Sequence, residues 1–185
     1  SLIIGALFYL PPEAKAQDAA SRRPNIVVIY ADDLGYGDVQ CYNPQRGKIA
    51  TPHIDRLASQ GIRFTDAHSS SGVCSPSRYT LLTGRYHWRS RLQSSIVRLW
   101  GAPLITPDRL TIGSLAKQHG YRTACIGKWH LGFKPPFLPR RQGFHEYFGL
   151  LHNLDPVETV YFEESGGVPL MRNERVVGRP ADPAE

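Results

Sequence analysis

The sequence predicts an α/β fold with a mainly parallel sheet flanked by helices, and three features carry that expectation. Asn25 to Tyr30 is a short, continuous apolar run rich in β-branched residues, the pattern of a strand buried on both faces. Two segments, Thr51 to Gly61 and Thr111 to Gly120, carry helix start and stop signals around an apolar stripe. The chain then returns to strand-like sequence in "YRTACIGKWH". Strands and helices alternating at this spacing bring parallel strands side by side.

Each element has its own logic. The first apolar run ends in Asp32-Asp33 and then "LGYGD", where Gly35 and Gly37 permit an irregular turn. In "TPHIDRLASQGIRF", Thr51 is a cap, Pro52 suits the first helical position and Gly61 stops the helix. Ile54, Leu57 and Ala58 form its apolar stripe, and Ile62 to Thr65 reads as the next extended segment. "SPSRYTLLTG" predicts a second helix, with Pro76 in its first turn and Gly84 at its end. Thr111 caps a third, in which Ile112, Leu115 and Ala116 are apolar and which Gly120 ends. Tyr121 to His130 is then a strand, which sets Lys128 and His130, two apart, on one face. From Phe133 onward prolines and glycines multiply. Residues 151–185 read as loop-rich, with a short hairpin expected around Val160 to Val177.

A chain of 185 residues can form one domain with a real core, and its 41% hydrophobic and 21% charged content argues against disorder. Leu2 to Leu10 is apolar but too short to span a bilayer as a helix. Ala14-Lys15-Ala16 follows with the small-x-small pattern of a signal-peptidase site. Residues 1–16 are therefore read as a secretory signal clipped at its start, and residues 17–185 as the part that folds. The mature protein is expected to be exported to a periplasmic, secreted or lysosomal-type compartment, with no stable membrane insertion.

Export gives the cysteines and the charge their meaning. Cys41, Cys74 and Cys125 are three, so at least one has no partner within the chain. The formal net charge is +6, and Arg85, Arg89, Arg91 and Arg98 fall between Gly84 and Asp108 with no acid among them. Trp88 and Trp100 are interleaved. A basic surface with aromatics could meet nucleic acid, but for an exported protein anionic glycans or small anions are the better match. A solvated basic loop accounts for the pattern equally well.

Three residue groups could carry chemistry. Asp32 and Asp33 end a strand, where ligands gather in open α/β sheets, and paired carboxylates suit a hard divalent cation. A cap and a solvated loop residue would explain the pair as well. Cys74 and Arg78 are four apart at a helix start, where free N–H groups and the helix dipole favour an anion or a thiolate. A buried structural thiol or a disulfide to Cys41 or Cys125 is the plainer alternative. Lys128 and His130 could clamp an anion and donate a proton, although a surface lysine beside a satisfied histidine is commoner. Each group falls on the same rim of the expected fold, at a strand end or a helix start.

At these residues the chain resembles the sulfatase family. "VCSPSRYTLLTGR" is similar to the signature in which Cys-x-Pro-x-Arg marks a modified cysteine, and "PNIVVIYADDLGYGD" is similar to the family's first strand and metal-binding Asp pair. "TPHIDRLASQGIRFTDAH" and "LTIGSLAKQHGYRTACIGKWHLG" resemble arylsulfatase segments in the family's order. The likeness runs from about Pro24 to Phe148.

The resemblance implies an alkaline-phosphatase-like fold and cleavage of a sulfate ester, from an aryl sulfate or a sulfated glycan. It implies that a formylglycine-generating or equivalent maturation enzyme converts Cys74 to Cα-formylglycine. The hydrate of that aldehyde would be the nucleophile, with a second hydroxyl that lets sulfate leave. Asp32, Asp33 and the modified Cys74 would bind Ca²⁺, in preference to Mg²⁺, and Arg78 would hold the hydrated aldehyde. Lys128 and His130 would contact the sulfate and leaving group, and Asn153 stands roughly where many relatives place a sulfate-holding serine. The alternatives are a phosphonate or phosphate monoester hydrolase of the same superfamily, or a non-catalytic anion- or glycan-binding relative. Nucleic acid is not an expected partner. The family's later Asp-Asn pair, second Lys and His, and smaller C-terminal domain have no counterpart here. The chain therefore reads as the N-terminal part of a catalytic domain, inactive alone.

Overall fold

The structure, a computed structural model, describes residues 23–98, 102, 104–153 and 169–179. The expected signal segment, residues 1–16, lies outside the described residues. The chain divides into two units, Ser1–Ala31 and Asp32–Glu185. In the first, the run Asn25 to Tyr30 takes part in no strand pairing among the described residues, which corrects the expectation of a first strand there. Ile26, Val27 and Ile29 are 67%, 80% and 85% exposed. A strand of this composition exists only when it is paired on its edges and covered on both faces, and the described residues provide neither.

The second unit holds all the assigned elements. Helix α1 is Pro52–Gln60, with Pro52 at its first position as expected. Thr51 precedes it but does not cap it with its side chain: its hydroxyl donates to Asp55 Oδ1 (3.0 Å) and accepts from Gln40 N (2.9 Å). Helix α2 is Cys74–Thr83, ended by Gly84 at φ 64, whose N–H donates to Thr80 O (2.8 Å). Only glycine adopts that left-handed conformation without strain, so the stop signal read in the sequence has a conformational cause. Helix α3 is Ile112–Gln118, and here the cap is of the expected kind, Thr111 Oγ1 accepting from Ser114 N at 3.0 Å. Ile62 to Thr65 leaves α1 without joining a strand. Among the described residues no helix is long and apolar enough to cross a membrane.

Four strands form one mixed sheet in the order β1-β2-β3-β4: β1 Ala124–Ile126, β2 Glu146–Leu150, β3 Leu170–Arg172 and β4 Arg175–Gly178. β1 and β2 are parallel, with Cys125 opposite Tyr147, while β2–β3 and β3–β4 are antiparallel. The α/β class holds, with one parallel pair and two antiparallel pairs among the described strands. The β3–β4 hairpin occupies the C-terminal half of the region where one was expected.

The core contains Tyr79 and Leu82 of α2, Leu92, Val97, Leu104 and Ile105 from the following loop, Trp129, Leu131 and Tyr147. Among the described residues it covers one face of the sheet. Along β2, Tyr147 is 1% exposed whereas Phe148 is 40% exposed, and Ile126 beside it on β1 is 78% exposed.

Candidate active site

The site is built where β1 ends and α2 begins. Strand β1 stops at Ile126, but the chain keeps bonding along the β2 side: Gly127 N donates to Phe148 O (2.8 Å), Trp129 N to Leu150 O (2.9 Å) and His130 N to Leu151 O (2.9 Å). Gly127 at φ 102 and His130 at φ 57 break the two-residue alternation of an extended strand. Lys128 and His130 consequently do not share a face, which corrects the sequence expectation. Lys128 projects outward to Asp32, while His130 is wholly buried.

Asp32, Arg78 and Lys128 converge. Lys128 Nζ donates to Asp32 Oδ2 at 2.7 Å, and Arg78 Nη2 lies 3.4 Å from Asp32 Oδ1. Arg78 Nη1 also donates to the Lys128 carbonyl at 2.5 Å. Burial alone would raise the Asp32 pKa, but the Lys128 hydrogen bond and charge, with Arg78 behind them, outweigh it and hold the carboxyl below its ordinary value. Two cations thus meet at one carboxylate, and one of them, Arg78, stands one helical turn from Cys74 on the same helix face.

Cys74 is the first residue of α2, partly exposed, and is a free thiol, as are Cys41 and Cys125. Burial pushes the Cys125 thiol up to about 11, so it stays protonated and inert. Asp33 is exposed and, like His130, has φ 57. Non-glycine residues in this region mark places where the surroundings over-determine the backbone. Both flank the Asp32–Lys128 pair.

His130 belongs to a buried network that sequence reasoning missed. Ser75 Oγ donates to His130 O (2.9 Å) and accepts from Val97 N (3.1 Å). The His130 ring bonds Val97 O through Nε2 at 3.0 Å. A carbonyl only accepts, so Nε2 carries the proton and Nδ1 keeps its lone pair; Nδ1 is buried without a hydrogen-bond partner among the described residues. The His152 ring lies 4.2 Å from that of His130 and stacks on Phe133. Burial first, then the fields of His152 and Lys128, lower the His130 pKa to about 3, so the ring is neutral near pH 7. Ser75 was readable only as the unspecified position of Cys-x-Pro-x-Arg, and His152 carried no sequence signal at all. Asn153 is half-buried, with an Oδ1 that has no hydrogen bond among the described residues, two positions beyond the Leu151 carbonyl that receives His130 N–H.

Asp32 and Asp33 are donors of the right chemical type for Ca²⁺, which takes six to eight oxygens. They do not complete such a site: the Asp32 oxygens face Lys128 and Arg78, and no group of three or more His, Cys, Asp or Glu side chains able to hold a metal occurs among the described residues.

The described residues thus form an α/β protein in which Arg78 and Lys128 meet at Asp32 between the end of β1 and the start of α2. The family model for Sulfatase matches residues 24–166. The N-acetylgalactosamine-6-O-sulfatase of Bacteroides thetaiotaomicron is 39% identical over 166 residues, covering 84% of this chain and 32% of the relative. Human arylsulfatase A is 42% identical over 142 residues, 74% of this chain and 27% of the relative. The crystal structure of Ps i-CgsB in complex with k-i-k-neocarrahexaose matches with a TM-score of 0.69 at 33% identity, over 84% of this chain and 37% of that one. This chain belongs to the sulfatase family. It spans about a third of the length of the curated relatives it matches.

Proposed function

We propose that this chain carries the nucleophile-bearing part of a sulfuric ester hydrolase. The observation that supports it most is the meeting of Arg78 and Lys128 at Asp32, with Arg78 one turn from Cys74 at the start of α2. Two fixed cations beside a helix start attract the oxygens of a sulfate ester and oppose the charge that develops on the leaving group. Arg78, tied to the Lys128 carbonyl, holds its geometry before any substrate arrives. His130 keeps its proton on Nε2 against Val97, and its backbone carbonyl accepts from Ser75 Oγ, which ties the segment after Lys128 to the start of α2. Asn153 adds a polar group at the edge of this network.

Cys74 is unpaired and accessible enough to be modified. As Cα-formylglycine it would supply a hydrated aldehyde, with one hydroxyl to attack sulfur and a second to let sulfate leave. Asp32 and Asp33 are the candidate carboxylates for Ca²⁺, but since the described residues complete no cation site, no step here depends on one. The protein acts on sulfate esters after export, and a formylglycine-generating or equivalent enzyme prepares it.

The decisive experiment is the mass of the tryptic peptide Phe64 to Arg78 from protein expressed in its native host. The aldehyde mass at Cys74 supports the reading, and an unmodified thiol in every molecule defeats it. Rates on matched aryl sulfate and aryl phosphonate esters, measured on the full-length protein its gene encodes, then identify the ester class. Faster phosphonate cleavage would move the assignment to a phosphonate hydrolase.

A further inference from the structure

The arginines and exposed aromatics of the loop from Arg85 to Arg98 take no part in the site chemistry, yet the fold gives the loop a definite course. It leaves the C-terminal end of α2, packs Leu92 and Val97 into the core beside Tyr79 and Leu82, and returns to the helix start. There Val97 N donates to Ser75 Oγ, and Val97 O receives the His130 ring nitrogen. Arg98, the next residue, is exposed and therefore emerges beside the first turn of α2. Since α2 has ten residues, the two ends of the loop are separated along its axis by roughly 15 Å.

At the far end, Tyr86 and Trp88 stack with ring centroids 4.2 Å apart and 12° between their planes, yet remain 49% and 45% exposed. The pair is held by its backbone: Gln93 Nε2 donates to Trp88 O (2.9 Å) and Ser90 O (2.7 Å), and Arg85 Nη2 donates to Arg89 O (2.7 Å). Arg89 and Arg98 form no ion pair among the described residues, and the loop contains no acid. Trp88 also packs edge-on against the buried His87, so the stacked pair is anchored on one side and open to solvent on the other. Its outer faces are electron-rich, and the C–H face of a sugar ring lies flat against such a surface. Arginines alongside it present planar forks that match a sulfate or carboxylate.

We propose that the Arg85–Arg98 loop is a track for an anionic oligosaccharide, which seats a sugar on Tyr86 and Trp88 and leads its sulfated neighbour past Arg98 toward Cys74. The inference deepens the sulfatase reading and rests on it for the direction of the track. A single-stranded nucleic acid would also stack on aromatics beside arginine, but nothing at the Cys74 end of the track selects a base.

The test uses the full-length protein, a sulfated hexasaccharide, a small aryl sulfate and a single-stranded DNA of equal charge. Trp88→Ala and Arg89→Gln, both at exposed side chains, are compared with wild type after circular dichroism confirms the fold. Titration calorimetry should show hexasaccharide affinity falling at least tenfold in each variant. The kcat/KM for the hexasaccharide should fall at least tenfold more than that for the aryl sulfate. Equal losses on both substrates, unchanged affinity, or DNA displacing the hexasaccharide mole for mole would overturn the track. If wild type binds the hexasaccharide through Trp88 and Arg89 but cleaves neither ester, the track stands and the hydrolase reading fails. If it cleaves the aryl sulfate but binds no hexasaccharide, the track alone fails.

Discussion

Arg78 holds two partners that a lysine could not hold together. One arm of its guanidinium donates to the Lys128 carbonyl and the other faces Asp32. Arg78→Lys keeps the charge and loses the fork, so aryl sulfate kcat/KM should drop by about 100-fold or more in the full-length protein. Near-wild-type rates would show that charge alone suffices. Two further residues write a pH dependence into the fold. His130 takes a proton near pH 6.5 when unfolded and only near 3 when folded. Its contribution is therefore complete above pH 6.5 and is lost as pH falls from 6.5 toward 3. Asp32 contributes above its ordinary value of 3.8 and loses that contribution only as pH drops below it, through its lowered folded value. Urea midpoints should decline first between pH 6.5 and 4, and that first decline should flatten in His130→Gln. A wild-type midpoint that stays constant from pH 7 to 4 would contradict a buried, neutral ring.

Among the elements, the junction of β1 and β2 leaves no room for a side chain at Gly149. Gly149 has φ 153, and a Cβ there would stand 2.0 Å from Gly127 O, at the turn that carries Lys128. Gly149→Ala should cost about 3 kcal/mol or more, seen in thermal or urea unfolding. Thr111 caps α3 and donates to the buried Gln142 carbonyl (2.6 Å). Thr111→Val should cost on the order of 1–3 kcal/mol. Helix limits of this kind were legible because their causes are local: Pro52 opens α1, Thr111 caps α3 and the φ of Gly84 ends α2. The nearness of Arg78 and Lys128 was legible too, since a strand end and a helix start share one rim, whereas Asp32 joins them without following a strand among the described residues. The strand expected at Asn25 to Tyr30 was not, because a strand is defined by partners that a single segment does not contain. The facing of His130 also escaped, since alternation assumes extended backbone and Gly127 and His130 have positive φ. Ser75–His130 and Val97–His130 contacts span 55 and 33 residues, and no local pattern announces them.

At the scale of the whole molecule, the described residues leave one face of the sheet without cover. Parallel strands are ordinarily covered on both faces, yet Ile126 and Phe148 are exposed here, as are Ile112 and Leu115 of α3. Ile126 and Phe148 stand opposite each other on β1 and β2, and neighbouring exposed apolar side chains of this kind mark a face made for contact. The 185-residue chain should therefore bind an apolar dye such as ANS strongly, and Ile126→Lys with Phe148→Lys should suppress that binding while leaving the far-ultraviolet dichroism unchanged. Dye binding equal to that of an ordinary globular protein would refute the open face. The same chain should bind Ca²⁺ no more tightly than about 10⁻⁴ M by calorimetry, because Lys128 and Arg78 already occupy the Asp32 carboxylate. The alternation along β2 also has a practical side. The repeat that sinks Tyr147 turns Phe148 outward, so the step that secures the interior also leaves an aromatic ring 40% exposed on the other face. Phe148→Lys should therefore raise the concentration that the 185-residue chain reaches before it precipitates.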